Sequence, residues 1–352
     1  MATTGKLSRL GNNFIQFQKF HNTTKYWTNS SNRKVLRHPE RWRIVPSRGF
    51  RTKKSKIESL AEEAPQESQR FRSLVKPIGF TVMVCGCSFT GAMIWQYEGM
   101  RSYATKIKLG NDQSTNNLQF LKNFGFRQHI SSMWNSLTEG EKMVWTITGV
   151  NIAVFLMWRL KNTSVNNALY RYFTCSPTSG HSVTSMLWST LSHQSFVHLF
   201  ANMYVFWSFS GVMLHLVNKE QMAAVLCSGG VISSLASFVH KIVIKGTMPS
   251  LGASGAICAM IGLVCMANPD SQLTIAFIGD ILGFSFSAEK GLYGLMTFDA
   301  LGLLLGWKVF DHAAHLGGVL FGIWYWKYGR DLIWNNRGKV MQMWHQLRGK
   351  QR

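Results

Sequence analysis

The chain has 352 residues, 46% of them apolar and only 15% charged, where an ordinary soluble domain carries about 25% charged residues. That length admits one large domain or two small ones, and charge missing from long stretches points to a membrane protein. The formal net charge of +22 would suit a nucleic-acid partner, but its distribution excludes one: residues 1–57 hold fourteen Lys or Arg against one acid, Glu40, a second basic cluster runs from Lys327 to Arg352, and the middle is nearly uncharged.

Residues 1–57 are basic, rich in Ser, Asn and Thr, and almost free of acids, the composition of a mitochondrial transit peptide. They lack the run of about 7–15 apolar residues that a secretory signal needs. Arg48-Gly49-Phe50 places a presequence cleavage near residue 50, the competing reading being a disordered basic tail. Residues 58–73, with Glu58, Glu62, Glu63 and Glu67, read as a polar linker.

Apolar segments follow. Ile78–Trp95, without a charge, predicts a transmembrane helix over 74–97, and 98–142 connects it to the rest. A core over 143–327 contains Met143–Trp158, Phe196–Val217, Gln221–His240, Leu251–Ala267, Gly291–Trp307 and Phe310–Trp326, and 328–352 forms a basic C-terminal tail. The expectation is an all-α polytopic membrane protein of one plus six spans. Several segments fall short of the roughly 20 residues of a full crossing, so flanking residues must complete them. Leu273–Ser287 is ambiguous: Asp280 interrupts it and Pro269, Asp270 and Glu289 bound it, so it is either an eighth span or an interfacial loop. Five of the six cysteines lie in apolar runs and read as small filler. Cys85-Gly86-Cys87 has the wrong spacing for a CxxC redox or zinc motif.

Polar residues inside apolar spans are expensive and mark functional candidates. Gly252-Ala253-Ser254-Gly255 opens one span, where glycines let a backbone come close to a serine hydroxyl; the same residues also suit plain helix packing. His315 lies a few residues into the last span, ahead of Gly318 and Gly322 in a GxxxG that permits close helix approach, with Gly255 and Ala259 as the matching small face. An imidazole brought to a hydroxyl makes a nucleophile; a lone interhelical histidine is the plainer reading. His198 and Asn202, at i and i+4, share one helix face and suit an oxyanion or a packing pair. Ser254 and His315 each begin a span, so they share a depth only if one crossing separates them. Gly291–Trp307 supplies it, and Leu273–Ser287 must then be interfacial or re-entrant. With four spans before it, the site opens toward the side that holds the N-terminus.

Gly252-Ala253-Ser254-Gly255, then Ala314-His315-Leu316-Gly317-Gly318 with Gly322, preceded by His198 and Asn202, resembles the rhomboid intramembrane proteases over Met143–Trp326. The additional N-terminal span, the transit-like tail and the stretch Leu305–His315 are similar to the mitochondrial presenilin-associated rhomboid-like subgroup. The resemblance implies a six-helix rhomboid core with one extra N-terminal helix in the mitochondrial inner membrane. It implies a Ser254–His315 dyad without an acidic third member, and an oxyanion held by His198, Asn202 and the Ser254 amide. It implies no cofactor or metal. Its substrates would be single-pass membrane proteins cut in or near their helix, in this subgroup a dynamin-like fusion GTPase and a quality-control kinase. Cys258 stands where bacterial members often carry a tyrosine stacked on the histidine, so another group must orient His315. Asp311 at i−4 is one candidate, with an interfacial charge the plainer reading, and Asp299 in mid-span is left unassigned. A non-catalytic binding relative and a transporter are the rival classes; the former is disfavoured by the presence of both Ser254 and His315, the latter by the lack of an inverted repeat.

Overall fold

The computed structural model describes residues 72–109, 126–178, 181–274 and 285–349. The transit-like tail, its expected cleavage and most of the polar linker lie outside the described residues. Helix α1, Val75–Leu109, extends the predicted first span at its C-terminal end. Helix α2, Phe126–Ser136, precedes α3, Glu139–Met157, which Thr138 and Glu141 start with a capping box, each side chain bonding the other's backbone amide. Asn162 caps α4, Thr163–Tyr172, and a single turn α5, Ser185–Trp188, leads into a short 3₁₀ segment. Helices α6, Phe196–Leu216, and α7, Lys219–Val243, are long, the second capped by Asn218. Helix α8, Ser254–Ala267, is short and almost entirely buried.

Two strands follow, β1, Gln272–Thr274, and β2, Ser285–Ser287, paired antiparallel with Gln272 opposite Ser287. The two ends of Leu273–Ser287 are therefore neighbours, whereas a single crossing would part them by about 30 Å. Asp280 and the rest of 275–284 lie outside the described residues, and the helix between Ser254 and His315 is α9, Ala288–Leu304. Helix α10, His312–Trp324, runs on into a π-helical segment, Tyr325–Trp334, before α11, Gly338–Gly349.

Among the described residues α1, α6 and α7 are long and apolar enough to cross a membrane unaided. The shorter α8 has about 21 Å of rise and is sheathed by its neighbours instead. The main core gathers Phe89 of α1, Phe206 of α6, Val225 of α7, Met260 and Leu263 of α8, Phe321 of α10 and Tyr325 of the π-helical segment. Tyr325 joins three elements: its ring stacks on Phe89 at 5.2 Å and its hydroxyl accepts from Gln221 Nε2 at 2.9 Å.

Candidate active site

The site is built at the head of α8. Cys175 and Ser250 exchange backbone hydrogen bonds at 2.8 and 2.9 Å, and the Gly252 amide donates to the Ser189 carbonyl at 2.9 Å. These bonds fix the approach to the helix. Gly252 has φ +128, a conformation that glycine adopts freely, and a Cβ there would stand 2.7 Å from the His198 ring. His198 thus packs on the backbone two residues before Ser254.

Ser254 is the first helical residue of α8, and His315 lies in the first turn of α10. The two helices run side by side in the same direction. A Cβ on Gly318 would strike the Gly255 carbonyl, one on Gly322 the Ala259 carbonyl, and one on Gly262 the Val319 carbonyl. That backbone-to-backbone seam brings His315 Nε2 to 2.9 Å from Ser254 Oγ. Asp311 sets the start of α10, its carboxylate accepting from the Ala314 amide at 3.1 Å.

The orienting group is not Asp311. Its carboxylate faces away, accepting from Ser237 Oγ at 2.5 Å and pairing with Lys241 at 3.6 Å. Asp299 is the group that meets the ring: its Oδ1 lies 3.1 Å from His315 Nδ1. The implied dyad without an acid is therefore joined by a carboxylate from α9, because that helix turns its one mid-span charge inward, where water is replaced by imidazole donors. The same oxygen is 2.7 Å from His312 Nδ1.

Asn202 turns its amide to the His198 carbonyl at 2.8 Å. A further histidine, His193, lies fully buried before α6, its ring 5.0 Å from that of His198. Its Nε2 accepts a long hydrogen bond, 3.4 Å, from the Ala253 amide. Burial, then the neighbouring His198, pushes its pKa down to about 3. A neutral imidazole can accept from that amide; an imidazolium cannot.

A cavity of about 30 Å³ adjoins Ser254, lined by Ser233, Ser234, Ser237, Ser250 and Asp311 among others. Several hydroxyls line it, and it is large enough for water. Among the described residues no group of three His, Cys, Asp or Glu side chains is placed to hold a metal ion.

Asp299 was visible as a charge inside an apolar run, but its partner was not. The signal that could have assigned it is the i, i+3 spacing of His312 and His315, which puts two imidazoles on one helix face. His193 gave no comparable signal.

The Rhomboid domain model matches residues 180–330. The human presenilin-associated rhomboid-like protein, mitochondrial, is 43% identical over 278 residues, covering 79% of this chain and 72% of its own. The Danio rerio protein, presenilin-associated rhomboid-like protein A, mitochondrial, is 38% identical over 303 residues, or 81% and 78% of the two chains. Rhomboid protein 1, mitochondrial, from Saccharomyces cerevisiae is 28% identical over 219 residues, 61% of each chain.

Proposed function

The chain belongs to the rhomboid family, and from that premise we propose that it is an intramembrane serine endopeptidase of the mitochondrial inner membrane. The observation that carries the reading is the 2.9 Å approach of His315 Nε2 to Ser254 Oγ. Ser254 attacks the scissile carbonyl while His315 takes its proton. The imidazolium then protonates the leaving amine, and a water, activated by the same ring, releases the acyl group. Asp299 holds the His315 proton on Nδ1, which leaves the Nε2 lone pair facing the hydroxyl. The head of α8 offers backbone amides that lack intrahelical acceptors, and with His198 they face the charge that develops on the carbonyl oxygen. Asn202 supports that arrangement through the His198 carbonyl. The hydroxyl-lined cavity is suited to supply the water that hydrolysis consumes.

The substrates are single-pass membrane proteins cut in or near their helix, a dynamin-like fusion GTPase and a quality-control kinase among them by resemblance to the family. The relatives' names, all mitochondrial, and the transit-like composition of residues 1–57 support the location.

The test is reconstitution in liposomes with a labelled single-pass helix, comparing the wild type with Ser254→Ala and His315→Ala. Cleavage by the wild type alone is expected. A wild type inert on several such helices, or a Ser254→Ala variant that cleaves equally well, sinks the reading and leaves a membrane-protein-binding relative in its place.

A further inference from the structure

Asp299 sits inside α9 with none of its surface exposed. A carboxylate in that place orients His315 only if it is itself held. His312 does the holding: its Nδ1 lies 2.7 Å from Asp299 Oδ1, closer than His315 Nδ1 at 3.1 Å to the same oxygen. His312 and His315 are three residues apart on α10, so both rings leave one face of the helix.

The His312 ring is fixed on every side. It is 2% exposed, and the rings of Phe298, Trp307 and Phe310 surround it at 5.5, 6.0 and 6.0 Å between centroids. It also fills the space that a side chain on Gly302 would take. Its Nε2 is buried without a hydrogen-bond partner among the described residues. A proton on Nε2 would be an unpaired buried donor. The neutral tautomer with the proton on Nδ1 is the one that fits, and it donates to Asp299.

We propose that His312 is a positioning residue for the reaction, acting through Asp299. By donating to Oδ1 it sets the direction from which the carboxylate meets His315. It also draws off part of the carboxylate charge, so that the Nδ1 proton stays on His315 instead of passing to Asp299 when Nε2 takes the Ser254 proton, which remains available to the leaving amine. The device is a Ser254–His315–Asp299–His312 chain in which only the first two members touch the reacting atoms. This proposal rests on the protease reading above. The bland alternative is a histidine that merely fills an aromatic cage.

The experiment measures kcat and KM for a labelled single-pass substrate in liposomes, with thermal melts to establish folding. The variants are His312→Leu, His312→Asn, Asp299→Asn, the His312→Leu/Asp299→Asn double, and Ser254→Ala as the inactive reference. Asparagine keeps an N–H at the position of Nδ1; leucine does not. His312→Leu is expected to lower kcat by about 10–100-fold, the range for groups that orient a functional imidazole, with KM unchanged. His312→Asn recovers most of that loss. Because the effect passes through Asp299, the double variant falls within about twofold of Asp299→Asn alone. The proposal is overturned if His312→Leu retains wild-type kcat, if it raises KM alone, if asparagine is as poor as leucine, or if the losses multiply in the double. Should His312→Leu not fold, His312→Phe, which fills the cage without a donor, makes the same comparison. A wild type that cleaves no better than Ser254→Ala fails at the earlier step and removes the protease reading itself.

Discussion

Asp299 Oδ1 and Ser254 Oγ stand at the two ends of one imidazole, 3.1 Å from His315 Nδ1 and 2.9 Å from its Nε2. The carboxylate comes from α9 and the hydroxyl from α8, so three helices must keep register for the ring to bridge them.

That bridge makes Asp299→Asn a direct test of the ring's tautomer. The carboxamide presents an N–H to Nδ1 in place of an acceptor and drives the His315 proton to Nε2, where it faces Ser254. The equivalent change in a soluble triad costs about 10⁴ in kcat. A loss in kcat of roughly 10²–10⁴ with little change in KM is expected here, read in the liposome assay. Activity within about twofold of the wild type would mean that His315 keeps its tautomer without help.

The glycine seam gives a second prediction. Gly318→Ala drives a methyl into the Gly255 carbonyl and Gly322→Ala one into the Ala259 carbonyl. Backbone cannot step aside as a flexible side chain can, so α8 and α10 must part and His315 must leave Ser254. Each change should destabilise by about 1–3 kcal/mol and reduce cleavage more than substrate binding. Gly91→Ala in α1, where no atom lies within 4 Å of the added methyl, is the control and should melt no lower than the wild type. Equal melting and cleavage in all three variants would show that the seam tolerates a wider spacing.

Sequence alone carried the helical architecture and the approach of His315 to Ser254, but not the packing around that pair. Ser254 and His315 were legible because each is a polar residue near the head of an apolar run with small residues beside it. Parity required Leu273–Ser287 to be interfacial or re-entrant for the two residues to meet, and its described ends are paired, Gln272 with Ser287. What escaped was rotation. Nothing in an apolar run says which way its one aspartate points, and the Asp299 contacts depend on how α9 is turned against α10. Asp311 was only one candidate, with an interfacial charge the plainer reading; i−4 spacing promises a shared face, whereas a residue that caps the helix is not yet on that face. Of the seven expected spans, α1, α6 and α7 are long and apolar enough among the described residues to cross a membrane, and α8 is too short to cross by itself.

Substrate choice follows from the cost of exposing a scissile bond. A helix in hydrocarbon has every backbone group paired internally, and each group left unpaired there costs several kcal/mol. Ser254 sits at the head of a buried helix, so the substrate strand must unwind to reach it. A helix carrying Gly, Ser or Pro near the cut should be cleaved faster than an otherwise identical poly-Leu helix, in matched liposomes and at equal density. Equal rates for the two would show that unwinding does not limit the reaction.

His193 links stability to pH. Its folded pKa of about 3 lies below the ordinary value of 6.5, because burial and then His198 disfavour the charged ring. Between those two values the unfolded chain binds a proton that the folded protein refuses. The neutral ring's contribution is therefore complete above about pH 6.5 and is lost progressively as the pH falls toward 3. One pKa unit corresponds to about 1.4 kcal/mol, so the drop from neutrality to pH 5 is on the order of 2 kcal/mol. His193→Gln keeps an acceptor for the Ala253 amide and carries no titration. Its melting temperature in detergent micelles should fall less steeply between pH 7.5 and 5 than that of the wild type. A variant that follows the wild-type slope over that interval would assign the acid sensitivity to other groups.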